Sequence, residues 1–162
     1  MLLGREKILE LVERIGLIEG FDRECLEGCG YDLRLERIHE IKGGAYLGVD
    51  YRDLPKIREE RFEEYALNPG EYILVETLEK INMPSDLAAR ILPRSTLFRS
   101  GAALQTALVD PGYQGTLTMG LINHGRAEFR IQKNSRIAQI IFEKIEGKTK
   151  KYNGRYQGGR VV

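Results

Sequence analysis

Beyond residue 15 the chain consists of short apolar runs separated by turn-forming residues, and this pattern constrains the fold more than any other feature. Apolar and polar residues alternate in these runs, as they do in strands that bury one face. We expect strands at residues 31–35, 72–75, 117–122, 129–131 and 137–142. Turn signals separate them at residues 68–70, 110–112 and 124–125. The pattern predicts a mainly β sandwich or barrel.

Helical periodicity is clear only near the start, where residues 4–15 place Ile8, Leu11, Val12 and Ile15 on one face. A second helical turn is predicted over residues 85–89, because Ser85 follows a proline and suits a helix N-cap.

The chain is expected to form one domain of 162 residues. Residues 1–20 form its N-terminal helix region, and the charged residues 51–64 are predicted to be a surface insertion. Residues 148–162 are Gly-rich, and such a segment is either a mobile lid over a bound anion or a frayed terminus.

Charge and composition argue against several partners. The 25 basic and 24 acidic residues are spread along the chain and leave a net charge of +1, so no nucleic-acid surface is expected. No apolar run is long enough to span a membrane, and the protein is expected to be soluble and cytoplasmic. Cys25 and Cys29 either pair locally or stay reduced. Together with His39 and His124 they match no common zinc pattern.

Residues 93–125 concentrate anion-binding and turn chemistry. Arg94, Ser95 and Arg99 can hold phosphate oxygens, or they form a structural ion pair followed by an N-cap serine. Asp110 in an Asp-Pro-Gly turn can orient a water or hold a sugar hydroxyl, or it only forms the turn. Gln139 can donate to a phosphate or face solvent.

Five short motifs in a fixed order span nearly the whole chain, and together they resemble the superfamily of deoxyuridine triphosphatases and deoxycytidine triphosphate deaminases. They are Gly-Tyr-Asp-Leu at 30–33, Arg-Ser-Thr-Leu-Phe-Arg at 94–99, Asp-Pro-Gly-Tyr-Gln-Gly at 110–115, Arg-Ile-Ala-Gln at 136–139 and Gly-Arg-Tyr-Gln-Gly at 154–158. The second motif departs from the family pattern, with Thr96 for a serine.

The resemblance implies a distorted jelly-roll (β-clip) with an N-terminal helix, assembled as a homotrimer with active sites between subunits and a tail over each. It implies a deoxynucleoside triphosphate as the ligand. It also implies Mg²⁺ as the cofactor, held by the triphosphate and water with no direct protein ligand.

The resemblance also implies a role for each site residue. Asp110 orients the attacking water, and Tyr113 packs under the sugar. The hairpin before Asp110 reads the base through Thr106, Ala107 and Leu108. Asp32 supports metal-bound waters or an arginine, or is structural. The phosphate-binding residues are Arg94, Ser95, Thr96, Arg99, Gln139, Arg155, Tyr156 and Gln157.

One position bears on which reaction occurs. The deaminases of this superfamily carry a glutamate on the strand after the third motif, where this chain has Gly120. Arg94 and Asp110 lie 16 positions apart, a spacing that resembles archaeal-type deoxyuridine triphosphatases. We therefore expect hydrolysis of dUTP to dUMP and pyrophosphate, which limits uracil incorporation into DNA and supplies dUMP for thymidylate synthesis. Deamination of dCTP, alone or coupled to hydrolysis, and a non-catalytic nucleotide-binding trimer remain the alternatives.

Overall fold

The computed structural model describes all 162 residues and contains two α-helices. Helix α1 (Arg5–Ile15) buries Ile8 and Leu11, which confirms the predicted N-terminal helix. It ends at Gly16, whose φ of +65° is the left-handed conformation typical of helix C-termini. Helix α2 (Ser95–Arg99) is little more than one turn, and one 3₁₀ turn covers Arg23–Cys25. Neither helix has the length and apolar character that crossing a bilayer requires.

Strands make up most of the regular structure, so the predicted mainly β class is confirmed. In chain order they are β1 (Ile18–Glu19), β2 (Leu26–Glu27), β3 (Gly30–Lys42), β4 (Tyr46–Leu47), β5 (Arg52–Asp53), β6 (Lys56–Glu60), β7 (Glu64–Leu67), β8 (Tyr72–Asn82), β9 (Leu87–Pro93), β10 (Ala102–Gln105), β11 (Leu108–Val109), β12 (Gln114–Asn123), β13 (Phe129–Gln132) and β14 (Arg136–Lys144).

The long strand β3 joins the two halves of the main sheet, one formed by β8, β12 and β10 and the other by β14, β9 and β11. Its first part pairs with β14, where Asp32 lies opposite Gln139, and its second part pairs with β8, where His39 lies opposite Leu74. The resulting strand order is β10-β12-β8-β3-β14-β9-β11. Because one strand serves both halves, the sheet curls around a single apolar core, as the predicted distorted jelly-roll requires.

The segment after α2 connects the two ends of this strand order. Strand β10 pairs with β12 at one end, and β11 pairs with β9 at the other. The Thr106 hydroxyl donates to the Ile91 carbonyl at 2.8 Å and ties the connecting loop to β9. Asp110 follows β11 directly, so the chain delivers it to the place where the two halves meet.

One expectation about local structure is corrected and another is refined. Ser85 and Asp86 form a turn, and the helical turn predicted at 85–89 is wrong because β9 begins at Leu87. Alternate residues of β9 are buried, and the seven-residue pairing with β14 outweighs the local N-cap signal. Residues 51–64 are largely exposed as predicted, although they include β6, which pairs with β3. Cys25 and Cys29 are both free.

Candidate active site

The turn between β11 and β12 sets the position of Asp110. Pro111 and Gly112 form its centre, and the Tyr113 amide donates to the Asp110 carbonyl at 3.2 Å. Gly112 has a φ of +79°, which a type II turn requires at its third residue. Both residue types are therefore needed to aim the Asp110 side chain into the cavity beside the turn.

That cavity has a volume of about 360 Å³ and lies between the loop before Asp110, strands β8 and β12, and the C-terminal tail. It brings together the six predicted site residues Thr106, Ala107, Leu108, Asp110, Tyr113 and Tyr156. Asp110 is its only acidic residue and Arg160 its only basic one. A mainly apolar cavity with a few polar groups is typical of a small-molecule site.

Tyr113 is a buried wall of this cavity. Its hydroxyl donates to the Thr116 carbonyl, and its ring meets the edge of Tyr152 at a centroid distance of 5.7 Å. Burial raises the pKa of Tyr113 to about 12, with smaller contributions from Tyr152 and Glu76. The phenol therefore stays protonated at neutral pH, and the ring is held in place from both sides.

Gly120 lies on the floor of the cavity, and its missing side chain leaves space that Tyr72 fills. A Cβ added at Gly120 would meet the Tyr72 hydroxyl first, with the Tyr72 Cζ at 2.7 Å and Cε2 at 2.9 Å. Strand pairing explains the contact, because Leu74 lies opposite Gly120 and Tyr72 is two residues away on the same face of β8. No carboxylate stands on this part of the floor.

A second carboxylate near the cavity, Glu76, is fully engaged elsewhere. Its Oε1 accepts hydrogen bonds from Arg37 at 2.9 Å and Thr116 at 2.6 Å, and its Oε2 lies 3.0 Å from His39 Nε2. Burial opposes ionisation of Glu76, but the hydrogen bonds from His39 and Thr116 and the Arg37 charge hold its pKa below the usual range. Glu76 is therefore an ionised, structurally bound group that does not line the cavity.

Arg94, which is predicted to bind phosphate, lines a groove that is separate from the Asp110 cavity. Arg94 Nη1 and Arg136 Nη1 lie 3.3 Å and 3.8 Å from the buried Oδ2 of Asp32, and this oxygen accepts no hydrogen bond. Burial raises the pKa of Asp32, although the charges of both arginines oppose the rise. Asp32 thus orients two guanidinium groups toward one surface and leaves part of their charge free.

Of the other predicted phosphate ligands, only Thr96 lines the groove with Arg94. Gln139 lies opposite Asp32 across the β3–β14 pair. Ser95, Thr96 and Arg99 are exposed on α2, and the Arg99 guanidinium lies 5.8 Å from the Phe98 ring centroid. The groove that Arg94 and Thr96 line shares no residue with the Asp110 cavity. Within one chain, the two halves of the predicted site are therefore separate.

The C-terminal tail is seated on the Asp110 turn. Gln157 uses its amide at both ends: Nε2 donates to the Gly112 carbonyl and Oε1 accepts from the Gln114 amide, each at 3.0 Å. The Gly158 amide donates to the Gln114 carbonyl at 2.8 Å. Tyr156 lines the cavity, and Arg155 is exposed to solvent.

Several cavity residues are absent from the sequence-based predictions. They include Tyr72, Leu74 and Thr118 on the floor; Tyr152, Arg160 and Val161 lie within the predicted lid at 148–162 but were not named as site residues. The tail aromatics and arginine stand next to a predicted lid motif, so they carried a usable signal. No sequence signal indicated Tyr72, because its position beside Gly120 depends on how β8 and β12 pair.

The structure contains no group of three or more His, Cys, Asp or Glu side chains arranged to hold a metal ion. Asp110 is the one carboxylate in the cavity. These residues suit a Mg²⁺ ion that arrives with phosphate oxygens and water as its ligands, and they do not form a protein cage.

Comparison with known proteins identifies relatives along most of the chain. A family model described as dCTP deaminase-like matches residues 2–145. A probable deoxyuridine 5'-triphosphate nucleotidohydrolase of Methanothermobacter thermautotrophicus is 37% identical over 134 residues, which cover 83% of this chain and 89% of the relative. A dCTP deaminase of Pyrococcus furiosus is 36% identical over 143 residues, covering 88% and 85%.

Solved structures with the same fold are more distant in sequence. The 2'-deoxycytidine 5'-triphosphate deaminase of Agrobacterium tumefaciens matches with a TM-score of 0.70 at 18% identity. The match covers 87% of this chain and 47% of that one, so this chain corresponds to about half of its length. A Staphylococcus bacteriophage 80alpha dUTPase variant matches with a TM-score of 0.53 at 16% identity, covering 85% and 95%. These likenesses extend to the fold.

Proposed function

We propose that this chain, which belongs to the dCTP deaminase-like family, hydrolyses dUTP to dUMP and pyrophosphate. The observation that carries the proposal is the cavity floor. Asp110 is the only carboxylate in the cavity, and the floor at Gly120 holds a tyrosine ring where deamination would need a carboxylate. Archaeal relatives named as probable deoxyuridine triphosphate nucleotidohydrolases support the same reaction.

In the proposed reaction a water oxygen bonds to the α-phosphorus, and the bond from that phosphorus to the α–β bridging oxygen breaks. Pyrophosphate leaves with the electron pair of that bond. Asp110 accepts a hydrogen bond from the water and orients it. Bound Mg²⁺ would neutralise charge on the phosphate oxygens, which hold it together with water.

The phosphate chain is proposed to lie between subunits of a homotrimer. The Arg94 groove of one subunit supplies the phosphate ligands, and the Asp110 cavity of another binds the sugar and base. The separation of these two sites within one chain supports this arrangement. So do Leu92, Phe98 and Leu108, three large apolar side chains that are exposed on β9, α2 and β11.

The sugar and base are proposed to enter the cavity beneath the tail. Tyr113 faces the sugar, and its fixed ring leaves no room for a 2'-hydroxyl, which favours deoxyribonucleotides. Backbone groups near Thr106, Ala107 and Leu108 meet the base edge. Uracil offers a donor at N3 and an acceptor at O4, and cytosine reverses both, so each mismatch costs about 1–3 kcal/mol.

Deamination of dCTP is the second candidate, and the relatives named as dCTP deaminases at 36% identity favour it. It needs a group on the cavity floor that activates water and moves protons to the 4-amino group. A further carboxylate close to the cavity wall, Glu76, is held by Arg37, His39 and Thr116. We therefore favour hydrolysis. A nucleotide-binding trimer without turnover is the third candidate.

Product analysis with dUTP tests the proposal. Purified protein is incubated with Mg²⁺ and dUTP, and pyrophosphate and dUMP are quantified by ³¹P NMR, with UTP as the ribonucleotide control. We expect equal amounts of dUMP and pyrophosphate from dUTP and little from UTP. Orthophosphate in place of pyrophosphate, or binding of dUTP without either product, would contradict the proposal.

A further inference from the structure

Gly120 is a glycine for reasons of space. It lies inside β12, between β10 and β8, where a glycine weakens a strand unless something approaches its Cα closely. Its φ is not in the left-handed region, so no backbone conformation requires it. The Tyr72 ring supplies the close approach, with its hydroxyl nearest to the missing Cβ.

The Tyr72 side chain is also accessible from the cavity. Tyr72 retains 36% of its exposure in the chain, and both Tyr72 and Gly120 line the cavity. A hydroxyl at the end of a packed aromatic ring has little freedom to lose on binding a ligand, because two torsions define its position. Tyr72 therefore presents a fixed donor and acceptor on the cavity floor.

A second hydroxyl lies beside it. Thr118 is two residues before Gly120 on β12 and so shares its face of the strand. Its Oγ1 is buried and forms no hydrogen bond within the chain, although it borders the same cavity. A buried polar atom without a partner is costly unless a ligand or water satisfies it. The floor is thus polar at two points on either side of Gly120.

Asp110 and Tyr113 stand at the turn before β12, whereas Gly120 lies further along that strand, and this order indicates which part of a nucleotide reaches the floor. If Asp110 and Tyr113 take the phosphate and sugar end, the glycosidic nitrogen N1 points toward them. C4 lies directly across the pyrimidine ring from N1. The substituent at C4 is therefore the part of the base that is furthest from the sugar, and the floor at Gly120 and Tyr72 faces it.

We propose that Tyr72 is a base-binding residue: its hydroxyl fills the space of the missing side chain at position 120 and hydrogen-bonds the C4 substituent of the pyrimidine. This inference rests on the proposed function in taking a pyrimidine deoxynucleotide as the ligand. A phenol donates to a 4-carbonyl and accepts from a 4-amino group. Tyr72 therefore binds either base, and the choice between them is left to the loop before Asp110.

Equilibrium binding of two monophosphates tests this. Wild type and Tyr72→Phe are titrated by calorimetry with dUMP and with the 2-pyrimidinone deoxynucleotide, which lacks the 4-oxygen and the N3 hydrogen; the comparison is made between the two proteins for each ligand, so the N3 difference cancels. Loss of one hydrogen bond raises the Kd for dUMP about three- to tenfold in Tyr72→Phe. The Kd for the 2-pyrimidinone nucleotide is the same in both proteins. Tyr51→Phe, which changes an exposed tyrosine of another hairpin, is the matched control and alters neither Kd.

Each outcome decides the inference. Equal weakening of both ligands by Tyr72→Phe assigns the residue a structural role and overturns it, as does no weakening of dUMP or a wild type that binds neither ligand. Because monophosphates bind without turnover, failure of hydrolysis is detected separately. A wild type that binds dUMP but releases no pyrophosphate from dUTP refutes the proposed function and leaves the Tyr72 comparison valid.

Discussion

At the scale of single residues, the site depends on where carboxylates are placed and how they are engaged. Asp32 binds two arginines, and Glu76 binds Arg37, His39 and Thr116. Asp110 alone faces the cavity. Sequence motifs predicted both Asp110 and Asp32 as site residues, because each stands in a short local pattern. The motifs could not show that Asp32 forms ion pairs within the chain while Asp110 faces the cavity, since such pairs depend on side chains from other strands.

Substitution of Asp110 by asparagine should therefore remove turnover and preserve binding. Asparagine keeps the size of the side chain but orients an attacking water poorly, so we expect kcat for dUTP to fall about a hundredfold or more. KM should change little, because the phosphate ligands remain. Steady-state pyrophosphate release measures both constants. Asp86→Asn, in an exposed turn, is the control, and an Asp110→Asn enzyme with undiminished kcat would show that the water is oriented by another group.

At the scale of secondary-structure elements, strand β12 and the tail build the cavity. The strands predicted from alternation are all present, within longer strands that reach beyond the local pattern. Residues 85–89 were predicted wrongly because pairing between β9 and β14 overrides a local helix signal. Tyr72 could not be predicted, since a bulge in β12 between Thr116 and Thr118 sets the register that brings it to Gly120.

The hydrogen bonds between Gln157 and the Asp110 turn lead to a prediction about the C-terminal tail. Gln157→Ala removes both hydrogen bonds to the Asp110 turn, which together contribute about 1–3 kcal/mol. The tail should then dissociate from the Asp110 turn more often. Because trypsin cleaves the dissociated tail, cleavage after Arg155 and Arg160 should become about tenfold faster. Asn153→Ala, at an exposed position in the same tail, is the matched control. Equal cleavage of Gln157→Ala and wild type would mean that the amide does not hold the tail.

At the scale of the whole molecule, the Arg94 groove and the Asp110 cavity of one chain are separate. The curled sheet buries a single core, and the Arg94 groove and the Asp110 cavity on it share no lining residue. The residues of the short motifs indicated the chemistry of each half, and only the family resemblance implied that the halves are separate, because separation is a property of the assembled sheet. A homotrimer that joins the cavity of one subunit to the groove of the next would complete three equivalent sites.

Mixed assemblies of two inactive variants test this arrangement. Asp110→Asn and Arg94→Ala chains are each inactive alone, but co-expression should recover about a quarter of wild-type activity, because random assembly unites an intact cavity with an intact groove in that share of sites. Co-expression of Arg94→Ala with Arg136→Ala, which alter two arginines lining the same groove, should recover none. Absence of recovery in the first mixture would place both halves of each site in one chain.

The central claim is that chemistry occurs at the phosphate and not at the base, and the products formed from dCTP test it most directly. Wild-type protein with Mg²⁺ is incubated with dCTP or dUTP, and ammonia and pyrophosphate are quantified in the same samples. We predict pyrophosphate from dUTP and no ammonia from dCTP, because no free carboxylate faces the base at Gly120. Release of ammonia from dCTP at a rate comparable to pyrophosphate release from dUTP would contradict the claim.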